Sequence, residues 1–316
     1  MTSPDPAPTC VALRALYLGD LITGLPALSM LRSALPGHRI MLAAPVTVGT
    51  LAVRAGVVDT LLPSLELAPL AAPPDIDVAV DLHGNGPASR DLLAVHRPRR
   101  LIAYADARLP WRQDEHEVTR WCRLIADAFD IPAPWPGVRG LLPVPAVPGD
   151  GTAGSVVIHP GAKSAARRWP ADRFAAVARA LTAAGQLVVV TGGPDEEALA
   201  ERIAADAGVQ VRLGLSLDEL FRMVAAARLV ICGDTGIGHV AGAFGTPSVH
   251  LFGPVPPSEW GPPADGPHTV LYHGPAGYRG DPHADVPDPA LLKIAVNEVL
   301  DAACARGERT PHACPA

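Results

Sequence analysis

Several features that would assign a chain to a class at once are missing from these 316 residues. No apolar run approaches the roughly 20 residues that cross a bilayer. The Pro-rich start, residues 1–10, lacks the basic-then-apolar pattern of a secretory signal. The expected setting is therefore the cytoplasm, in soluble form, with contact at a membrane surface left open. Cysteines are scattered and odd in number (Cys10, Cys122, Cys232, Cys304 and Cys314), and no two form a C-x-x-C pair. That pattern argues against a disulfide framework and against structural zinc. Positive charge is not in excess either: the net charge is −6, which excludes a general nucleic-acid surface. An anionic ligand must then be held by a local cluster of donors. Lysine is nearly absent, with Lys163 and Lys293 the two lysines among 26 basic residues.

What is present is enough apolar material, 48% of the chain, to build two domains of ordinary size. Two series of alternating strand and helix signals are separated by a linker. The first series opens with an apolar run at 11–18, closed by Gly19-Asp20, and a helix is expected from Pro26 to 34. Strands follow near 39–43, 76–81 and 100–104, with helices near 46–55, 88–95 and 117–129. Six prolines between Pro132 and Pro148 exclude a helix or central strand there. The domains are accordingly 1–148, ending in this Pro-rich linker, and 149–316. The second series places strands at 155–159, 186–191, 229–232 and 248–252, with helices at 172–184, 195–207, 216–227 and 236–244. Ser216-Leu217-Asp218-Glu219 fits a capping box. One long closing helix is expected over 288–303, with a frayed tail from Gly307. Alternation at this pace implies parallel, doubly wound sheets. Two such domains in tandem place a ligand cleft between them, at the carboxyl ends of the strands.

Familiar nucleotide signatures fail. A dinucleotide fingerprint needs G-x-G-x-x-G in an early turn. Gly236, Gly238 and Gly242 put the third glycine one position late, in a late unit. A Walker loop would need Lys directly after its last glycine, and Gly161 is followed by Ala162. Asp75-Ile76-Asp77 is formally a metal-holding D-x-D, but it lies where a strand begins, away from the expected cleft, and reads as strand-entry chemistry. No metal and no other cofactor is expected.

Two loops of the second series carry the chemistry of a diphosphate site. After the strand ending at His159, Gly161 lets the backbone approach a ligand closely. Lys163, Arg167 and Arg168 supply three cations within six residues, suited to phosphate; the alternative is a solvated loop. The second loop runs from Gly233 to His239. Small residues at a helix start leave backbone N–H groups open to an anion, and Thr235 adds a hydroxyl. Asp234 either contacts ribose hydroxyls or merely caps the helix. In the first series Gly19 permits close approach. Asp20 is either a helix cap or a general base, and His83 ends the strand at 76–81.

Taken in order, these residues resemble the ADP-heptose:lipopolysaccharide heptosyltransferases, glycosyltransferase family 9. The resemblance is carried by Gly19-Asp20 with Leu25-Pro26-Ala27-Leu28, and by Asp81-Leu82-His83-Gly84-Asn85. It continues through His159-Pro160-Gly161-Ala162, Arg168-Trp169-Pro170, Thr191-Gly192-Gly193-Pro194 and Ser216-Leu217. Gly233-Asp234-Thr235-Gly236-Ile237-Gly238-His239, Gly245-Thr246-Pro247 and Phe252-Gly253-Pro254 complete it. It implies a GT-B fold, two Rossmann-like domains facing a central cleft, with the donor on the C-terminal one. It also implies metal-independent, inverting transfer of a heptose-type sugar from a nucleotide sugar, ADP-heptose in the family, to a hydroxyl of a glycan or small molecule. By carry-over Asp20 matches the catalytic base, and Arg167 the basic residue on the donor phosphates. Asp234, Thr235, Gly236 and His239 surround the diphosphate and sugar. His159, Gly161, Lys163, Arg168, Gly192 and Ser216 complete the expected donor set; Gly19 and His83 belong to the acceptor side. Pro194 stands where some members carry an acidic residue that contacts the donor nucleoside. Two other classes share these ligands: a non-hydrolysing sugar-nucleotide epimerase, which would convert the sugar without an acceptor, and a non-catalytic nucleotide-sugar binding protein.

Overall fold

The structure is a computed structural model that describes residues 7–104, 109–147, 149 and 151–307. Two compact units divide the chain, Met1–Pro143 and Val144–Ala316, and the division falls inside the Pro-rich stretch. The tail expected beyond Gly307, including Cys314, lies outside the described residues.

In the first unit the order is β1 (Thr9–Leu13), α1 (Leu18–Ala34), β2 (Arg39–Ala44), α2 (Val46–Arg54) and β3 (Thr60–Pro63). It continues through β4 (Ile76–Asp81), α3 (Pro87–Ala94), β5 (Arg100–Ile102) and α4 (Glu117–Phe129). The strands form one parallel sheet, ordered β3-β2-β1-β4-β5. Because β1 lies inside the sheet, the chain winds first to one side and then to the other. The sheet's interior is filled by fully buried residues such as Val11, Leu13, Ala43 and Ala79.

The second unit runs β6 (Val156–His159), α5 (Ala171–Ala183), β7 (Val188–Thr191), α6 (Glu197–Ala207), β8 (Gln210–Arg212) and α7 (Leu217–Ala226). Then follow β9 (Leu229–Gly233), α8 (Gly236–Phe244), β10 (Ser248–Leu251), α9 (Pro257–Trp260), β11 (His268–Leu271), α10 (Pro289–Leu292) and α11 (Val296–Gly307). This sheet is also parallel, ordered β11-β10-β9-β6-β7-β8. Its core gathers Ile158, Val190, Ile231 and Val249 with Trp169 and Phe174, whose rings meet edge to face at 5.0 Å. Both units are thus Rossmann-like, as expected.

Three local expectations are corrected. The helix expected from Pro26 begins eight positions earlier, at Leu18, so Gly19 and Asp20 lie in its first turn and Pro26 lies inside it. Proline removes one helical hydrogen bond. Burial of Leu21, Ile22, Leu25, Ala27 and Leu28, all at 1% exposure or less, offsets that loss. A helix buried all round shows no amphipathic stripe, and its glycines and proline read as breakers. The single closing helix is in fact two, α10 and α11. Asp288 caps the first, accepting the Ala290 N–H at 2.8 Å. The Arg173 guanidinium then takes the carbonyls of Leu292 and Ile294 at 2.7 and 2.8 Å, and the Trp169 indole N–H also reaches Ile294. Those carbonyls point at side chains, so the helix cannot run through. Finally, Cys304 is disulfide-bonded, where the scattered cysteines argued against a disulfide framework; Cys10, Cys122 and Cys232 are free and buried.

The seating of α8 involves a buried polar group. His250, on β10, shares the Ser248 hydroxyl with His268, each at 2.7 Å. Its ring lies under the first turn of α8. A Cβ on Gly238 would stand 2.8 Å from the imidazole and 3.2 Å from the Cys232 sulfur, so the helix rests this close only because residue 238 has no side chain. Burial, with His268 and His239 nearby, pushes the His250 pKa down to about 3. The unfolded chain therefore binds a proton near the ordinary value of 6.5 that the folded chain refuses. Stability from this group is complete above about pH 6.5 and declines as the pH falls toward 3. Urea midpoints measured across that range should drop with pH, and His250→Gln should flatten the dependence; an unchanged slope would remove His250 as its source.

Candidate functional site

In a parallel sheet that starts in its interior, loops leaving the two strands at the point of divergence open away from each other, and ligands bind there. In the second unit those strands are β6 and β9. Their exits are the two loops singled out for phosphate, and the fold brings them into contact. After His159 and Gly161 the first loop reaches a short 3-10 turn, Ala165–Arg167. The Arg167 carbonyl would stand 2.9 Å from a Cβ on Gly233, so the turn lies against the end of β9. Arg167 Nη1 reaches Asp234 Oδ2 at 3.2 Å, with the arginine side chain 27% exposed and the aspartate 4%. That carboxylate oxygen has no aligned hydrogen bond, so the contact is an ion pair by distance that leaves donors and acceptors on both groups.

Asp234 is not the helix cap. Thr235 occupies the cap position with extended backbone, φ −155° and ψ 167°, and its hydroxyl makes no capping bond. The amides of Gly236 and Ile237 open α8 and have no earlier carbonyl within the helix to bond. A hydroxyl, two helix-end amides and a half-exposed guanidinium therefore meet at one sheet edge, the donor set an anion requires. His239 lies one turn into α8, its ring 5.9 Å from that of Trp260 on α9. Trp260 was not singled out from the sequence, because the four-residue helix that holds it has no periodic signal.

The remaining expected residues divide by use. Lys163 is exposed at the rim of the first loop. Arg168 Nε donates to the Ala162 carbonyl at 2.8 Å and so closes the loop on itself. The loop is also pinned from the C-terminal segment, where the Ala284 carbonyl accepts from Ala166 N–H and Ser164 Oγ, both at 3.1 Å. Ser216 heads α7 in the capping box read from the sequence. Its hydroxyl donates to Glu219 Oε2 at 2.6 Å and accepts the Glu219 amide, which gives it a structural use.

Glu196 is another residue that sequence reasoning missed. It sits in the turn after β7, two positions past Pro194, and its side chain folds back across Gly192 and Gly193. Its Oε2 accepts the Gly193 N–H at 2.8 Å and lies 3.4 Å from His159 Nε2. A Cβ on Gly161 would fall 2.0 Å from the Glu196 carboxyl carbon, so Gly161 is the space this carboxylate fills. Burial lowers the His159 pKa, and the Glu196 charge opposes that shift.

In the first unit the divergent strands are β1 and β4, and their exits bring together Gly19, Asp20 and His83. Asp20 is the third residue of α1, half-buried, where a carboxylate also favours the helix dipole. His83 is half-buried with Nδ1 unpartnered; burial lowers its pKa, Arg14 lowers it further and Asp20 raises it. Asp81, at the end of β4, secures this exit by accepting the His83 amide at 2.9 Å and the Ser89 hydroxyl at 2.7 Å. The D-x-D lies elsewhere: Asp77 accepts from His38 at 2.8 Å where β4 begins, the opposite edge. Arg14, fully buried, was not foreseen because it follows directly on an apolar strand.

The profile of glycosyltransferase family 9 (heptosyltransferase) matches residues 94–276. Lipopolysaccharide heptosyltransferase 3 of Escherichia coli is 30% identical over 162 residues, 49% of this chain and 47% of that protein. Lipopolysaccharide heptosyltransferase 1 of Pseudomonas aeruginosa is 33% identical over 175 residues, 54% and 47%. The matched segments thus span about half the length of these relatives. Among solved structures, a family 9 glycosyl transferase from Veillonella parvula superimposes with a TM-score of 0.74 at 18% identity, covering 96% of this chain and 98% of that one. E. coli ADP-heptose lps heptosyltransferase II gives 0.74 at 19%, covering 94% and 98%. E. coli heptosyltransferase WaaC with ADP gives 0.72 at 20%, covering 94% and 99%. At these identities the likeness establishes the fold, which is GT-B.

The Glu196 geometry has a direct consequence. Glu196→Gln removes the charge that favours imidazolium at His159, so the His159 titration, followed by NMR, should move still lower than in the parent. An upward shift would mean that the carboxylate does not act on this ring.

Proposed function

The chain belongs to glycosyltransferase family 9, and on that premise we propose that it moves a heptose-type sugar from a nucleotide sugar, ADP-heptose, to a hydroxyl of a glycan or small molecule. The observation that supports this reading most strongly is the meeting of Arg167 with Asp234 at 3.2 Å, beside the open end of α8. In the proposed reaction the donor diphosphate takes the remaining donors of Arg167, the Thr235 hydroxyl and the amides of Gly236 and Ile237. Lys163 adds a point charge at the rim. Asp234 orients Arg167, and His239 faces the sugar from the next turn. An acceptor hydroxyl oxygen attacks the anomeric carbon while the bond from that carbon to the diphosphate breaks, inverting the centre. Asp20 receives the hydroxyl proton. Charge on the departing nucleoside diphosphate is met by cations and a helix end in place of a divalent metal. Use of a nucleotide-sugar donor fits a cytoplasmic setting.

Three measurements test this. Arg167→Ala should weaken ADP binding about 10- to 100-fold by calorimetry, the range for losing a charge-assisted contact of roughly 1.5–3 kcal/mol. Equal affinity for ADP, UDP and GDP in the parent would remove the adenine donor. Asp20→Asn should slow ADP release from ADP-heptose, with an acceptor hydroxyl taking the heptose, about 10²- to 10⁴-fold, the usual contribution of a general base, with ADP affinity unchanged. Transfer at the parental rate would exclude Asp20 as the base.

A further inference from the structure

Arg14 leaves β1 into the interior, at 0% exposure, and its guanidinium spreads over three segments. Nε donates to the Asp20 carbonyl in the first turn of α1, and Nη1 donates to the Leu82 carbonyl, one residue before His83. Nη2 reaches Thr23 Oγ1 at 3.1 Å and Glu117 Oε1 at 3.2 Å. Thr23 in turn donates toward the Gly19 and Asp20 carbonyls at 3.1 and 3.0 Å. The fold makes room for this side chain. A Cβ on Gly24 would lie 2.6 Å from both Cδ and Nε of Arg14, and a glycine inside a helix costs roughly 0.8–1 kcal/mol against alanine.

The charges around Arg14 are not balanced by the partner it is bonded to. Glu117 accepts from Arg14 through Oε1 and from Arg120 through Oε2, so among the described residues two buried guanidiniums share one carboxylate. Arg123 has Glu115 at 2.7 Å and adds no countercharge for Arg14. A buried cation in surplus is unfavourable unless an anion lies near. Arg14 directs its Nε to the turn of α1 that carries a carboxylate, Asp20. The Arg14 charge lowers the His83 pKa, while that of Asp20 raises it. Asp81 on β4 is bonded to the His83 amide rather than its ring, and Glu117 stands behind Arg14.

We propose that Arg14 is a positioning residue for the transfer reaction: it fixes Asp20 and His83 relative to each other through the Asp20 and Leu82 carbonyls and holds a positive charge behind the turn that carries Asp20. This rests on the reading of Asp20 as the base. The test combines turnover with a readout that needs no turnover. Arg14→Met keeps an unbranched stem without the charge, and the Glu117–Arg120 pair remains balanced. It should lower kcat for ADP release from ADP-heptose at least 30-fold with the donor KM within about twofold. It should also raise the His83 titration midpoint, read by NMR, because a neighbouring cation has been removed. Arg14→Lys keeps a charge without the fan of bonds: the His83 midpoint should stay low while kcat still falls. An unmoved His83 midpoint in Arg14→Met, or parental kcat in either variant, would overturn the proposal. Should Arg14→Met not fold, Arg14→Lys alone decides it by kcat. If the parent releases no ADP from ADP-heptose when a broad panel of sugar acceptors is supplied to take the heptose, the transferase reading fails, while the His83 titration still reports on Arg14.

Discussion

A parallel sheet whose first strand lies in its interior must send its crossovers to both sides. No helix then covers the loops that leave the two strands at the divergence, and their backbone groups need partners from elsewhere. Both units of this chain are built under that constraint. In the second it falls between β6 and β9, in the first between β1 and β4. The residues with chemistry to offer collect at those two edges, Arg167 with Asp234 at one and Asp20 with His83 over Arg14 at the other.

Charge is handled differently at the two edges. In the second unit the cation is partly exposed and its carboxylate buried, so the guanidinium keeps bonding capacity toward solvent, where a phosphate would arrive. In the first unit the cation is sealed inside and acts through carbonyls and through its field. A net-acidic chain thus uses few basic side chains here, and only Arg14 lies where screening by water is least. Glycines supply the space: Gly161 for the Glu196 carboxylate, Gly238 for the His250 ring, Gly24 for the Arg14 side chain.

The turn after β7 brings a carboxylate back over its own strand end. Position 194 is proline here, and the carboxylate near the β6 exit comes from Glu196, which turns back onto Gly193 and His159. Solved family members under 25% identical still match over more than nine-tenths of this chain. What is shared with them is the fold.

Central strands were legible in the sequence because burial on both faces writes a continuous apolar run. The strands that escaped, β3, β8 and β11, are all sheet edges, short and partly exposed, with no such run to read. The capping box at Ser216, the glycine-rich opening of α8 and the cationic loop were equally plain, since each is a local pattern of a few residues. Proximity was not. That Arg167 meets Asp234, that Glu196 fills the space at Gly161, and that Arg14 joins Asp20, Leu82 and Glu117 across 103 positions of sequence depend on strand order and on which carbonyls helices leave unpaired. Those are properties of the packed chain. Composition and spacing determined the alternation of strand and helix and the kinds of groups at each strand end; only the folded sheets decided which of those groups share a charge.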